Sequence, residues 1–99
     1  MNMQKLMKEA QKMQKEILEV QEKLNETVYE GVSSLVSVVV NGKKELIKVE
    51  IKDKDTIEND DIELLEDMII VAVNDAMRKI DEDKEQKMSK YGQGFSGLM

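Results

Sequence analysis

The chain contains no cysteine and no histidine. Those two absences remove disulfides, zinc-finger ligand sets, thiol nucleophiles and every general base or triad built on imidazole. Aromatic residues are scarce, one phenylalanine and two tyrosines, which leaves little on which unpaired bases could stack. Arginine is nearly missing: Arg78 stands alone against fourteen lysines, so bidentate readout of guanine is almost closed. No uncharged apolar run approaches the ~18 residues of a membrane span. Met1-Asn2-Met3-Gln4-Lys5 leads into no signal-peptide core, and a cytoplasmic location is expected. What remains is 99 residues, 36% charged and 40% apolar, with a mean hydropathy of -0.50. That is one small soluble domain. Its net charge of -6 argues at first sight against a polyanionic partner.

The first stretch is the most regular. Met3, Leu6, Ala10, Met13, Ile17, Val20 and Leu24 recur at alternating gaps of 3 and 4, an a/d heptad seam with no glycine or proline to break it. The pattern predicts a helix from about Asn2 to Asn25, amphipathic and too long and thin for so small a domain to cover. From Thr27 the period changes. A short strand is expected around Thr27 to Glu30, then two β-branched runs, Leu35 to Val40 and Leu46 to Lys52, separated by Asn41-Gly42, a strong hairpin signal. A four-residue loop, Asn41 to Lys44, would pair Val38 with Ile47 and Val36 with Val49, apolar to apolar. That register is preferred over a two-residue turn pairing Val40 with Lys43. Either register puts Val36, Val38 and Val40 on one face with Ile47 and Val49.

An acidic connection leads to a second helix capped by Asp60 or Asp61, whose core spacing reads Ile62, Leu65, Ile69, Ala72, Val73, Ala76 and Ile80. Leu64, Met68, Ile70, Val71 and Met77 make its middle apolar almost all round, and a small two-layer domain should leave one face wet. A second body is implied, most simply another copy of the chain, with these five residues as the candidate dimer interface. Asn74, mid-helix, reads as a buried amide fixing register or bonding a strand end, with a direct ligand contact as the alternative. Residues 81–90 are charged and lack apolar spacing, and residues 91–99 read as a flexible tail after a single domain over 1–90. The fold class is α+β, in the order α-β-β-β-α, with an antiparallel three-stranded hairpin sheet.

Charge is distributed unevenly. Residues 1–15 carry four lysines against Glu9, whereas residues 53–67 carry eight acidic residues against Lys54. Lys5, Lys8, Lys12 and Lys15 follow gaps of 3, 4 and 3 and form one row at the outward c and f positions. The row has two readings: a solvated coiled-coil face, or a ridge that contacts phosphates. Any duplex contact would be ionic, weakly sequence-selective and steeply salt-dependent. Asp53-Lys54-Asp55 opens like a calcium loop, but Glu58 stands where that loop needs glycine and Leu64 where it needs glutamate. Nothing calls for a metal, a cofactor or a small-molecule substrate, and no constellation suggests an enzyme.

Several blocks together resemble a known family. Leu6-Met7-Lys8-Glu9-Ala10-Gln11-Lys12-Met13-Gln14, the hairpin Val38-Val39-Val40-Asn41-Gly42 followed by Val49-Glu50-Ile51, and Leu64 to Ala76 resemble, in order and spacing, the YbaB/EbfC family of bacterial nucleoid-associated proteins. Lys87-Met88-Ser89 and the Met-ending tail are also similar. The resemblance implies a tweezer-like homodimer built on the hairpin sheets and second helices, with the first helices projecting as arms. It implies duplex DNA binding with little or modest sequence preference, in nucleoid organisation or gene regulation. Carried to matching positions, the DNA-binding residues are Lys5, Lys8, Lys12 and Lys15 on the first helix and Arg78, Lys79 and Lys87 toward the end of the second. The competing expectation is an adaptor dimer whose arms bind another protein.

Overall fold

The computed structural model describes residues 2–91. A 24-residue helix α1 (Met3–Glu26) is followed by strands β1 (Val28–Ser33), β2 (Val36–Asn41) and β3 (Leu46–Ile51) and a 27-residue helix α2 (Ile62–Met88). Short 3₁₀ turns at Lys54–Thr56, Asn59–Asp61 and Ser89–Tyr91 complete it. The architecture is α+β, a three-stranded antiparallel meander in the order β1-β2-β3 with α2 on one face. The expected tail beyond Tyr91 lies outside the described residues.

Local chemistry fixes the ends of α1. Asn2 Oδ1 accepts from the backbone N–H groups of Gln4 (3.0 Å) and Lys5 (3.3 Å), satisfying donors that a first turn leaves open. Thr27 closes the other end in an extended conformation, its hydroxyl donating to the Lys23 carbonyl at 2.6 Å.

The hairpin register differs from the expected one. Val38 faces Val49 and Val36 faces Ile51, with a bulge between Val39 and Val40 beyond which Val40 faces Leu46. Asn41 explains the longer turn. Its Oδ1 accepts from Lys43 N–H (2.9 Å) and Glu45 N–H (3.1 Å), its Nδ2 donates to Glu45 Oε1 (2.8 Å), and Lys44 takes a left-handed φ of 65°. The side chain organises a turn through Glu45, displacing the ladder by two residues over Val36–Val39 and by one at Val40. The even shift preserves side-chain parity, so Val36 and Val38 still share a face with Val49. β1 is also longer than expected, running through Ser33.

Val36, Val38 and Val40 are fully buried against Leu65, Ala72, Ala76 and Ile80 of α2. The layers approach most closely at Gly31. A Cβ placed there would lie 1.9 Å from the Ala72 carbonyl oxygen and 2.9 Å from Ala76 Cβ. Glycine on the strand and alanines on the helix let backbone meet backbone. Gly42 plays the same part at the base of α1, where a Cβ would lie 1.7 Å from the Leu24 carbonyl oxygen.

α2 runs past Ile80, the last residue of its apolar spacing, to Met88, which is buried. The charged stretch is held by i,i+4 pairs such as Lys87–Asp83 rather than by apolar spacing. Asn74 is exposed, not a buried amide; Asp75 beside it makes the contact to the sheet, as described below.

Helices of 24 and 27 residues are about 36 and 40 Å long, and laid end to end they account for the longest dimension, 72 Å against 20 and 14 Å. α1 therefore stands clear of the sheet. Only Leu24 of α1 is buried, and its first turns are exposed throughout.

Replacing Gly31 with alanine should force α2 off the sheet. The expected cost is about 2–3 kcal/mol of folding stability, read as a lower denaturant midpoint at unchanged slope. An Asn74→Ala control, at an exposed helical site, should shift the midpoint little.

Candidate nucleic-acid interface

Three polar contacts orient α2 on β1. Tyr29 Oη donates to Asp83 Oδ2 at 2.5 Å, Lys79 Nζ donates to the Glu30 carbonyl at 2.7 Å, and Val32 N–H donates to Asp75 Oδ2 at 3.2 Å. Positions rise along β1 as they fall along α2, so the two run antiparallel. The base of α1 and the end of α2 therefore share one end of the sheet. The acidic 53–67 segment occupies the other, where Lys52 N–H donates to the Leu35 carbonyl at 2.7 Å.

The seven candidate DNA-binding cations fall into two groups. Lys5, Lys8, Lys12 and Lys15 are exposed on α1, and among the described residues none makes an ion pair or a side-chain hydrogen bond. The α2 set is already engaged. Arg78 Nη2 sits 2.5 Å from Asp75 Oδ1 and its Nε 3.9 Å from Glu82. Lys79 Nζ sits 3.3 Å from Asp75, and Lys87 Nζ 3.1 Å from Asp83. Such exposed pairs contribute little to stability, yet they neutralise the positive charge that a phosphate would meet.

Distance resolves the conflict posed by the net charge. The acidic segment lies at the far end of a 72 Å molecule from the first turns of α1, many times the screening length of about 8 Å at physiological salt. Its carboxylates do not oppose the lysine row. Closer in, Glu16, Glu19, Glu22 and Glu26 crowd the base of α1, confining the positive potential to the outer half of the arm.

The five candidate dimer residues divide between two flanks of α2. Successive residues lie about 100° apart on a helix, which places Leu64, Met68 and Val71 on the side of Asp75, over β1. Ile70 and Met77 fall on the opposite side with Asp81, whose carboxylate pairs with Lys44 of the hairpin turn at 3.0 Å. Leu64, Ile70 and Val71 are all more than half exposed. The inner face of β3 is also uncovered: α2 lies across β1 and β2, while Leu46, Ile47 and Val49 are exposed.

Comparison with known proteins follows the same lines. The sequence model of the YbaB/EbfC DNA-binding family matches residues 1–95. The chain belongs to the YbaB/EbfC DNA-binding family. A nucleoid-associated protein of Ligilactobacillus salivarius is 42% identical over 100 residues, spanning 99% of this chain and 95% of the relative. One from Enterococcus faecalis is 40% identical over 99 residues, spanning 98% and 94%. The crystal structure of an uncharacterized protein from Helicobacter pylori superposes with a TM-score of 0.69 at 27% identity, covering 93% of this chain and 99% of that one. YbaB/EbfC is thus a DNA-binding family, not an enzyme family, and the extended shape fits its tweezer-like fold.

Within this YbaB/EbfC chain the clamp of Tyr29, Asp75 and Asp83 was not singled out from the sequence. Its signal was the spacing of each aspartate three or four residues before a cation on one helix. The Val32 N–H and its neighbouring cations hold Asp75 below the usual carboxylate range; the Tyr29 hydroxyl and Lys87 do the same for Asp83. Burial, then the hydrogen bond and charge of Asp83, push Tyr29 up to about 12. Carboxylates lowered in the fold stabilise it above their unfolded-state values, and that contribution fades as pH falls through the lowered ones. A raised phenol stabilises below its ordinary value of 10.0 and loses its contribution as pH climbs toward about 12. Tyr29→Phe should therefore cost about 1 kcal/mol at neutral pH. It should also flatten the fall in stability between pH 10 and 12, measured against the parent chain by denaturant titration.

Proposed function

We propose that the chain acts as a homodimer that binds duplex DNA with little or modest sequence preference, through Lys5, Lys8, Lys12 and Lys15 on the projecting α1 helices. Nucleoid organisation or gene regulation is the role that follows, in the nucleoid of a bacterial cytoplasm. The observation that carries this reading is the unpaired state of that aligned row, set beside the neutralised Arg78, Lys79 and Lys87. The family and the names of the relatives support it. Among the described residues no helix is long and apolar enough to cross a membrane, and no group of acidic residues is placed to hold a metal ion. Lysines releasing counterions from a polyanion need no base-specific geometry.

The dimer seam we infer is β3 with the adjoining flank of α2. The outward edge of β1 is capped by Asp75 on Val32 N–H and by Lys79 on the Glu30 carbonyl, a device that blocks edge-to-edge pairing. β3 carries no such cap. Among the described residues its backbone makes no hydrogen bond beyond the β2 ladder, and its apolar inner face continues onto Ile70, Val73 and Met77.

Two measurements test the pair of claims. Changing all four α1 lysines to glutamine should weaken binding to random duplex, read by anisotropy, and make the salt dependence shallower by about 0.9 in log-log slope for each phosphate no longer neutralised. The Arg78→Gln and Lys79→Gln variants should change both far less. Unchanged binding in the quadruple variant would transfer the function to the adaptor reading. For the seam, Val49→Asp should weaken dimerisation by at least about 100-fold in sedimentation, because it buries an unpaired charge. Leu64→Asp, on the other flank, should leave the dimer intact.

A further inference from the structure

The arm has a second face that DNA binding does not use. Along its outer turns Met3, Leu6, Met7 and Met13 are each 44% exposed or more, and they line the seam directly behind Lys8 and Lys15. No part of the described chain covers them. A helix projecting into water over this length has little to hold it, because most helical stability comes from packing an apolar face. An uncovered heptad seam on a soluble protein marks a site of association.

We propose that this face pairs with the α1 helix of another copy of the chain, parallel and in register, as a short two-stranded coiled coil centred on Met3 to Met13. The flanking residues decide both the partner and its direction. With Met3 at a, the g positions are Glu9, Glu16 and Lys23 and the e positions are Met7, Gln14 and Gln21. In a parallel pair each g residue meets the e residue five places on in its partner. Glu9 then meets Gln14 and Glu16 meets Gln21, glutamate against an amide donor, with no like charges apposed.

Antiparallel pairing brings g against g. The register overlapping only the tips sets Glu9 against Glu9, and the intermediate one sets Glu9 against Glu16. The fullest overlap sets Glu16 against Glu16 but also Glu9 against Lys23; it needs Leu24, which is 2% exposed and already buried in its own chain. The antiparallel registers open to the free turns therefore oppose glutamates, and the remaining one is closed by Leu24. The four lysines, at c and f, face away from the seam, so a paired arm keeps its row open to phosphate. The pairing goes beyond the DNA-binding reading and does not rest on it.

The absence of native cysteine makes the test clean. Met3→Cys and Ala10→Cys, at successive a positions, should each form an intermolecular disulfide under mild oxidation at least about ten-fold faster than Lys8→Cys on the outward face. Adding Leu6→Gln and Met13→Gln, both at exposed sites, should remove that advantage. The same two changes should leave low-salt duplex binding in place. Changing the four lysines to glutamine should do the reverse, weakening duplex binding while preserving the Ala10→Cys crosslink. Equal rates at all three cysteine positions would overturn the proposal. So would rapid crosslinking through Ala10→Cys without Met3→Cys, the signature of an antiparallel pair, whose ends lie far apart.

Discussion

The contact of Gly31 with the Ala72–Ala76 stretch of α2 sets the separation and placement of the two layers, and much of the remaining geometry follows from it. A helix can sit this close to a strand only where neither backbone carries bulk. The fit draws α2 over β1 and β2, where Val36, Val38 and Val40 complete the core. It also brings the acidic and basic residues of one α2 flank within reach of the β1 edge, allowing Asp75, Lys79 and Asp83 to cap it. The same placement leaves β3 outside the footprint of the helix. One tight contact thus produces a closed edge and an open one, and the asymmetry between them orients the inferred dimer.

The end-to-end arrangement of α1 and α2 has an electrostatic consequence that composition conceals. A net charge of -6 spread over a sphere would repel a polyanion from every direction. Drawn out over 72 Å, the same charges become a dipolar rod in which screening separates the acidic end from the lysine row. Self-neutralisation sharpens the contrast. Arg78, Lys79 and Lys87 of α2 spend their charge on Asp75, Asp83 and Glu82, so the outer arm is where an aligned set of ammonium groups stays available. Lysine suits such a surface better than arginine, since it supplies charge without the planar fork that reads guanine.

Much of this was legible in the sequence, for reasons that differ by element. The α1 seam is local, set by residues within one or two turns, and the helix appeared where expected. So did the burial of Val36, Val38 and Val40, although Ile47 and Val49, expected on the same face, stay exposed because α2 does not reach β3. The hairpin register was not legible, because pairing apolar residues was weighed without the hydrogen bonds of Asn41 to Lys43 and Glu45. The end of α2 is only partly legible, because the hydrophobic period ends at Ile80 while ion-pair spacing continues to Lys87. Asn74 and Asp75 show the same limit. Both sit in an apolar neighbourhood, and only the orientation of α2 on β1 decides that the carboxylate, rather than the amide, turns toward the sheet. Of the five apolar α2 residues read as surplus to one core, Leu64, Ile70 and Val71 stand exposed while Met68 and Met77 pack against it. Their division between two flanks required knowing which strand lies beneath which side.

The arm shows why surplus apolar surface and surplus charge occur on one helix. A rod that only gripped phosphates could be polar all round, held by i,i+4 pairs. Among the described residues α1 lacks such pairs, and its apolar residues keep a strict heptad spacing past the point where its own fold can cover them. Methionine fills two of the four outer seam positions, Met3 and Met13, and its flexible thioether tolerates an imperfect match between packed faces. A seam that adapts to its neighbour, set back to back with a row that binds any duplex, suits an assembly whose contacts to DNA and to itself are both indifferent to base sequence. Specificity would then reside in the glutamate–glutamine apposition that fixes how arms meet, rather than in where on the chromosome they land.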